Sequence, residues 1–157
     1  MKFRNYLIAV ISAFFLAMPV SGFAQAILTV STHSTSQSYS LDDILSMPQT
    51  TVTTNNHYVE GSTLFQGPSL RYVLEQTGIK EDAMLRMTAL NDFSVDVPAS
   101  DAFKYDVILA VHQNGEKMSV RDKGPIWVIY PMDDHPELSD SLYSDRLIWQ
   151  LSSISVK

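Results

Sequence analysis

Cysteine is absent from the 157-residue sequence. The chain therefore forms no disulfide, offers no thiolate to a metal ion and has no cysteine nucleophile. Its fold has to be stabilised by a hydrophobic core alone. Hydrophobic residues make up 45% of the chain, and a domain of about 150 residues can bury roughly 68–70% of its unfolded surface.

The chain has only one long apolar run, Tyr6–Ala17, near its N-terminus. Lys2 and Arg4 precede the run, and Gly22-Phe23-Ala24 places small residues at the third and first positions before Gln25. This is the pattern of a cleavable secretory signal peptide, and the run is shorter than the about 20 residues of a transmembrane helix. We therefore expect export of the protein; an uncleaved N-terminal anchor is the alternative.

Basic residues are also few, since lysine and arginine number 11 against 17 aspartates and glutamates. Cleavage of residues 1–24 would leave a single domain, residues 25–157, with 9 basic and 17 acidic residues and a net charge of −8. An acidic surface is repelled by nucleic acids and by anionic lipids, so we expect neither as a partner. The predicted mature chain has no apolar run long enough to span a bilayer.

Helices are predicted at three places. The S-L-D-D capping box that starts at Ser40 predicts a short helix over Leu41–Met47. Apolar residues spaced i, i+3, i+4 predict a second helix that begins at Leu70 and ends before Gly78. A third, short helix is predicted to begin near Pro98.

Strands account for most of the remaining pattern. Segments rich in β-branched or apolar residues predict strands at Ile27–Val30, Thr50–Tyr58, Leu85–Leu90, Phe93–Val97, Val107–His112, Ile126–Pro131 and, as one or two strands, Leu147–Val156. Asn91-Asp92 and Asn114-Gly115 are predicted to be tight turns, and Met132–Ser144 an acidic loop. Several strands with two or three short helices predict an α+β fold with a mixed β-sheet.

No general signature of catalysis occurs in the chain. The four histidines lack the spacing of a zinc motif, and the chain has no G-x-S-x-G, G-x-G-x-x-G or calcium-loop pattern. His135 with Asp133 and Asp134 is either a weak metal site or part of the acidic loop, and His112 is expected to be structural. The residues alone favour an exported binding or interaction domain, and we expect no metal.

Between Phe65 and Tyr130 the sequence resembles a known family. The segments Phe65–Leu70, Ala89–Val95, Asp106–Ala110 and Lys123–Val128 occur in the order and near the spacing of the oxidoreductase molybdopterin-binding domain of sulfite oxidase-type proteins. The resemblance covers about half of the predicted mature chain and implies the fold of that family. It also implies a possible activity, that of a molybdenum-cofactor-dependent oxidoreductase or of its accessory subunit.

The missing cysteine disfavours that activity. Catalytic members of the family hold molybdenum through a cysteine thiolate, and a hard oxygen ligand does not reproduce the electronics of a soft thiolate. In Met118–Pro131 and Trp149–Leu151 the chain is more similar to a short, cysteine-free subgroup, the PruR-like periplasmic pterin-binding proteins. That similarity implies a non-catalytic periplasmic protein that binds a reduced, metal-free pterin. It also implies that the protein regulates an inner-membrane GGDEF/EAL partner that makes or degrades cyclic di-GMP. Molybdopterin is the alternative ligand, and a ligand-free interaction module is a third possibility.

The resemblance implies a pterin site, and pterin chemistry indicates suitable residues. A pterin has hydrogen-bond donors at its 2-amino group and N3, acceptors at O4 and N5, and a flat face. Asp92 is the expected carboxylate for the donor edge, beside Asn91, unless it only forms an Asx turn. Arg121 is the expected donor to O4, with Asp122 orienting it or replacing Asp92, unless both lie in a solvated hairpin.

Aromatic residues are the expected stacking faces for the pterin. Phe65, Phe93 and Trp127 are the first candidates; Tyr130 and Trp149 are others, and core packing is the alternative role for the residues in apolar runs. The predicted pterin-binding set is Phe65, Asn91, Asp92, Phe93, Arg121, Asp122, Trp127 and Tyr130.

Overall fold

Three β-sheets and four short α-helices make up residues 24–157, the part of the chain that this computed structural model describes. The predicted signal peptide lies outside the described residues, except for Ala24. The strands are β1 (Ala26–Ser31), β2 (Ser36–Ser40), β3 (Gln49–Thr54), β4 (Thr63–Pro68), β5 (Met84–Ala89), β6 (Ser94–Pro98), β7 (Ile108–Ala110), β8 (His112–Gln113), β9 (Glu116–Lys117), β10 (Trp127–Ile129) and β11 (Leu151–Val156). The helices are α1 (Leu41–Ser46), α2 (Leu70–Gln76), α3 (Ser100–Lys104) and α4 (Ser141–Ser144), and 3₁₀ turns occur at Val120–Asp122 and Pro136–Ser139. None of the helices in this part of the chain has the length and hydropathy of a membrane span.

The largest sheet has the strand order β2-β1-β11-β5-β6. β1 and β11 run parallel, and the other neighbours are antiparallel, so the sheet is mixed as the sequence predicts. Because successive side chains of a strand point to opposite faces, Leu28, Val30, Leu85, Met87 and Ile154 all lie on one face and form part of the main core. The other face carries mainly serine and threonine, which hydrogen-bond across the strands.

Two helices form as their sequence signals predict. At the start of α1, Ser40 Oγ accepts a hydrogen bond from the Asp43 amide at 3.2 Å, and the Asp43 carboxylate accepts one from the Ser40 amide at 2.8 Å. This confirms the capping box. The apolar stripe of α2 is fully buried in the main core, and Gly78, which follows the helix, has a φ of +74°.

A two-stranded sheet, β7 with β10, separates two hydrophobic cores. Leu109 and Val128 face the main core, whereas Ile108, Trp127 and Ile129 face a smaller core that also contains Phe65. Both faces of β10 are therefore buried, as the apolar run around it predicts.

Some predicted limits of strands are wrong. Val107–His112 is not one strand, because β7 pairs with β10 whereas β8 pairs with β4 and β9. β3 ends at Thr54 rather than Tyr58, and the Asn55 amide that follows donates to the Asp133 carboxylate at 2.9 Å. β2 and β4 were not predicted, since β2 is a polar edge strand and β4 ends in Gly-Pro. Met132–Ser144 contains a 3₁₀ turn and α4 rather than only a loop.

Candidate functional site

A cleft of about 320 Å³ lies at the end of the large sheet where β5 finishes and β11 begins. Its volume is at the lower end of the roughly 300–1,000 Å³ range of small-molecule pockets. The cleft is lined by Tyr58, Ala89, Asn91, Phe93, Ser144, Asp145, Leu147, Ile148 and Trp149.

The walls of the cleft are aromatic. The rings of Tyr58 and Trp149 meet edge to face, with centroids 4.9 Å apart. Phe93 is 51% exposed and Trp149 37% exposed, although both are large apolar side chains. These two rings therefore present faces on which a flat heterocycle can stack.

The polar groups of the lining come from two segments. Asn91 lies in the turn between β5 and β6, where its Oδ1 accepts a hydrogen bond from the Phe93 amide at 3.2 Å. Ser144 and Asp145 lie at the end of α4. The Ser144 Oγ atom is buried and has no hydrogen-bond partner among the described residues. Asp145 supplies the negative charge of the lining.

The base of the cleft is attached to both cores. Ala89, Leu147 and Ile148 are buried, and the Leu147 carbonyl accepts a hydrogen bond from Trp127 Nε1 at 2.9 Å. The Val128 amide also donates to the Ile148 carbonyl at 2.9 Å. These bonds hold the segment before β11 against β10, so the apolar base of the cleft is rigidly supported.

A buried ion pair lies directly behind the segment that carries Ser144 and Asp145. Arg146 and Asp101 are 8% and 6% exposed, and the Arg146 guanidinium donates to Asp101 Oδ2. The same carboxylate oxygen accepts a hydrogen bond from Tyr130 Oη at 2.8 Å. Burial, with the Asp101 carboxylate beside it, raises the pKa of Tyr130 well above its ordinary value, so the phenol stays protonated and acts as a donor.

Two of the predicted pterin-binding residues, Asn91 and Phe93, lie together in the lining. Asp92 lies between them with a φ of +66° but does not line the cleft. Arg121 and Asp122 lie in the exposed 3₁₀ turn and also do not line it.

Gln150 connects the turn that contains Asn91 and Phe93 with the turn that contains Arg121. Its carbonyl accepts a hydrogen bond from the Leu90 amide at 2.9 Å, and its own amide donates to the Lys123 carbonyl at 3.0 Å. Its side chain donates to the Val120 carbonyl at 2.7 Å. The turn that carries Arg121 is therefore a neighbour of the cleft.

The three remaining predicted residues, Phe65, Trp127 and Tyr130, are fully buried. The rings of Phe65 and Trp127 pack edge to face at 5.3 Å in the smaller core, and Tyr130 belongs to the main core. None of the three is exposed or lines the cleft. For Trp127 and Tyr130 this is the core packing that was the alternative to stacking, whereas for Phe65 only stacking had been expected.

Sequence reasoning missed most of the cleft. Tyr58, Ser144 and Asp145 were not in the predicted site, and Trp149 was only a further candidate. Tyr58 was assigned to a strand and Ser144 to an acidic loop, so neither carried a local signal of a binding site. An exposed tryptophan beside a positive-φ residue is recognisable only once the fold is known.

The fold is that of the sulfite oxidase type. The crystal structure of the sulfane dehydrogenase SoxCD from Paracoccus pantotrophus matches 82% of this chain with a TM-score of 0.62 and 16% sequence identity. The match covers 37% of the SoxCD chain, so this protein spans little more than a third of its length. The likeness confirms the predicted α+β architecture. No curated protein matches the sequence.

Residues 18–133 match the family described as the oxidoreductase molybdopterin binding domain. The match covers well over half of the chain, and this protein belongs to that family. The resemblance seen between Phe65 and Tyr130 is therefore confirmed at the level of the family. The segment Ser144–Trp149, which supplies more than half of the cleft lining, lies beyond the matched residues.

The lining of the cleft does not fit the complete molybdopterin cofactor. Its nine lining residues include no cysteine to hold molybdenum and no lysine or arginine to neutralise a phosphate, while Asp145 adds a negative charge. Within residues 24–157, no three histidine, cysteine, aspartate or glutamate side chains are grouped as a metal site. The aromatic faces, amide and carboxylate of the cleft are groups that can stack on a flat heterocycle and hydrogen-bond to its edge.

Proposed function

We propose that this protein is a non-catalytic periplasmic protein that binds a free, reduced pterin without a metal. The observation that carries the proposal is the lining of the cleft, which combines exposed aromatic faces with one carboxylate and one amide and has no cation or thiolate. A pterin needs a flat apolar surface and a hydrogen-bonding edge, and this cleft supplies both.

In the proposed complex, the Asp145 carboxylate accepts hydrogen bonds from the 2-amino group and N3 of the pterin. Asn91 donates its side-chain amide to the O4 edge, and Phe93 and Trp149 cover the faces of the ring. Asp145 thus takes the role that the sequence had indicated for Asp92. A carboxylate and a donor pair of this kind form charge-assisted hydrogen bonds, which are stronger than neutral ones.

The proposed biological role is regulation of an inner-membrane enzyme that makes or degrades cyclic di-GMP. This part of the proposal rests on the resemblance of Met118–Pro131 and Trp149–Leu151 to the PruR-like subgroup. Trp149 supplies a wall of the cleft, so one of the two resembling segments contributes directly to the proposed pterin site.

The second candidate function is a molybdenum-cofactor-dependent oxidoreductase or an accessory subunit of one. Membership of the molybdopterin-binding family favours it, and the structural neighbour is a sulfane dehydrogenase. The lining of the cleft disfavours it, because neither the metal nor a phosphate finds a suitable side chain there.

The small molecules bound to the native protein distinguish the two candidate functions. The mature protein is purified from the periplasm of its own host, its ligands are released with acid, and pterin fluorescence and elemental molybdenum are measured on the same sample. Stoichiometric pterin without molybdenum supports the proposal. Pterin together with stoichiometric molybdenum supports the oxidoreductase instead, and protein with neither contradicts both.

The site itself is tested with Asp145→Asn. Hydrogen bonds to a charged group contribute about 1.5–3 kcal/mol, so the affinity for tetrahydropterin, measured by calorimetry without oxygen, should fall about 10- to 150-fold. Asp134→Asn makes the same change at an acidic residue outside the cleft lining and should bind like the wild type. Equal affinities for the two variants would reject Asp145 as the carboxylate of the site.

A further inference from the structure

A second pocket lies where the edge strand β2 and the helices α1 and α2 meet. It has a volume of about 300 Å³ and shares no lining residue with the cleft. Seven of its eight lining side chains carry a hydroxyl, an amide or a carboxylate, and none of these described residues is basic. Because such groups donate and accept hydrogen bonds, the lining suits a small polar ligand. We call this site the Tyr39 pocket.

Within residues 24–157, the hydroxyl of Tyr39 lacks a hydrogen-bond partner. The residue is 6% exposed, and its Oη atom is buried. Burial, with Tyr72 and Asp43 beside it, raises the pKa of Tyr39, so the phenol stays protonated. Both neighbours also line the pocket, so the hydroxyl is directed towards it. Because buried polar groups are nearly always hydrogen-bonded, this hydroxyl indicates a ligand group that completes its bonding.

Asp43 gives the pocket a charged acceptor. One of its carboxylate oxygens, Oδ2, accepts hydrogen bonds from the amide and the hydroxyl of Ser40 at 2.8 and 2.6 Å. The other oxygen, Oδ1, accepts none from the described part of the chain. The bonds from Ser40 lower the pKa of Asp43, so the carboxylate is ionised at neutral pH. Ser40 therefore fixes the orientation of Asp43, while one oxygen stays free for a ligand.

The elements around the pocket are acidic on balance. β2, α1 and α2 together carry one basic and three acidic residues, namely Arg71, Asp42, Asp43 and Glu75. Arg71 forms an ion pair with Glu75 at 2.9 Å and lies over the ring of Phe103, 5.1 Å from its centroid. This arginine is therefore neutralised, and it does not line the pocket. The charges of Asp42 and Asp43 remain, and they favour a cation over an anion in the pocket.

We propose that the Tyr39 pocket is a second binding site and that its ligand is a small hydroxylated amine. The ammonium group of the ligand donates to Asp43 Oδ1, and its hydroxyl bonds to Tyr39 Oη. The side-chain amides of Gln37 and Gln76 lie in the same lining and bond to further hydroxyls. Hydrogen bonds between ammonium and carboxylate groups are charge-assisted and stronger than neutral ones, so Asp43 provides most of the affinity. The site does not depend on the pterin cleft.

The test titrates ethanolamine into the mature protein and follows the backbone amides of Asp43 and Tyr72 by ¹H–¹⁵N NMR. The titration extends to about 50 mM at constant ionic strength, since a ligand this small is expected to bind in the millimolar range. Two analogues are compared with ethanolamine. Ethylene glycol has the same size but a hydroxyl in place of the ammonium group. Phosphoethanolamine presents the amine as a lipid headgroup does, with a phosphate on the hydroxyl.

Ethanolamine should shift both amide signals. Ethylene glycol should bind at least about tenfold more weakly, because it cannot form a charge-assisted hydrogen bond with Asp43. Phosphoethanolamine should also bind at least about tenfold more weakly, because its phosphate is repelled by Asp42 and Asp43.

Three variants test the two residues that hold the ligand. Tyr39→Phe removes only the hydroxyl and should lower the affinity for ethanolamine about three- to tenfold. Its thermal midpoint should equal or exceed that of the wild type, because the variant loses a buried hydroxyl without a partner. Asp43→Asn should lower the affinity at least about tenfold. Asp42→Asn is the matched control, since Asp42 lies outside the lining, and its affinity should stay within about twofold of wild type.

The proposal is overturned if about 50 mM ethanolamine shifts neither amide signal, or if ethylene glycol or phosphoethanolamine binds as tightly as ethanolamine. It is also overturned if Tyr39→Phe binds ethanolamine as tightly as Asp42→Asn does, a comparison that stands even if Asp43→Asn does not fold. A lower thermal midpoint in Tyr39→Phe would show that the hydroxyl is bonded within the protein, and this result would equally contradict the proposal.

Discussion

Arg146 and Asp101 form a buried ion pair behind the cleft, and we predict that breaking it strongly destabilises the protein. Arg146→Met removes the guanidinium and keeps a long side chain. Asp101, which is 6% exposed, would then retain only the hydrogen bond from Tyr130 Oη at 2.8 Å. An unpaired charge would remain in the main core.

The expected loss is about 3–5 kcal/mol of unfolding free energy, the typical cost of removing one partner of a buried pair. For a domain of about 130 residues, this corresponds to a melting temperature lower by about 10–20 °C. The double variant Asp101→Asn, Arg146→Met leaves no unpaired charge and should therefore be more stable than Arg146→Met alone, by about 1–3 kcal/mol.

Urea denaturation followed by tryptophan fluorescence measures these differences. Arg71→Met is the matched control, because Arg71 pairs with Glu75 on the exposed surface of α2 and its loss should change the midpoint little. If the unfolding free energy of Arg146→Met lies within about 1 kcal/mol of the wild-type value, the ion pair does not contribute the stability that its burial implies.

Two further predictions concern a glycine and a surface carboxylate. In Gly67→Ala the new Cβ would lie 2.0 Å from the Leu109 carbonyl oxygen, so β4 and β7 must separate. Thermal unfolding should therefore show a loss of about 1–3 kcal/mol or more of unfolding free energy. An unchanged melting temperature would contradict this close approach. Arg86 and Lys157 hold the pKa of Asp96 at about 2, below its usual 3.8, so its contribution to stability is complete above about pH 4 and is lost as the pH falls towards 2. In Asp96→Asn the urea midpoint should fall less steeply with decreasing pH over that range. An unchanged pH dependence of the midpoint would show that these ion pairs do not contribute to folding stability.

Features encoded by neighbouring residues could be predicted from the sequence. The capping box at Ser40, the apolar stripe of α2 and the Asn114-Gly115 hairpin each depend on residues within one or two turns of the chain, and all three are present. The family was also recognisable, because its segments occur in order along the chain and match over residues 18–133. Export and the PruR-like subgroup remain predictions.

The limits of the strands and the sheets to which they belong were harder to predict from the sequence. Val107–His112 is uniformly apolar, yet its residues enter two different sheets. Pairing of strands distant in sequence decides where each ends, and the local pattern does not report it.

The composition of the cleft depends on contacts between segments that are distant in the sequence. Phe65 and Phe93 are equivalent as sequence signals, but one is fully buried against Trp127 and the other is half exposed at the cleft. Asn91 and Asp145 are more than fifty positions apart, and both line one cleft because β5 pairs with β11. Short-range patterns along the chain were enough to predict the local elements and the family. Which aromatic faces and which carboxylate reach a ligand depends on how distant segments pack, because burial and proximity are properties of the folded chain.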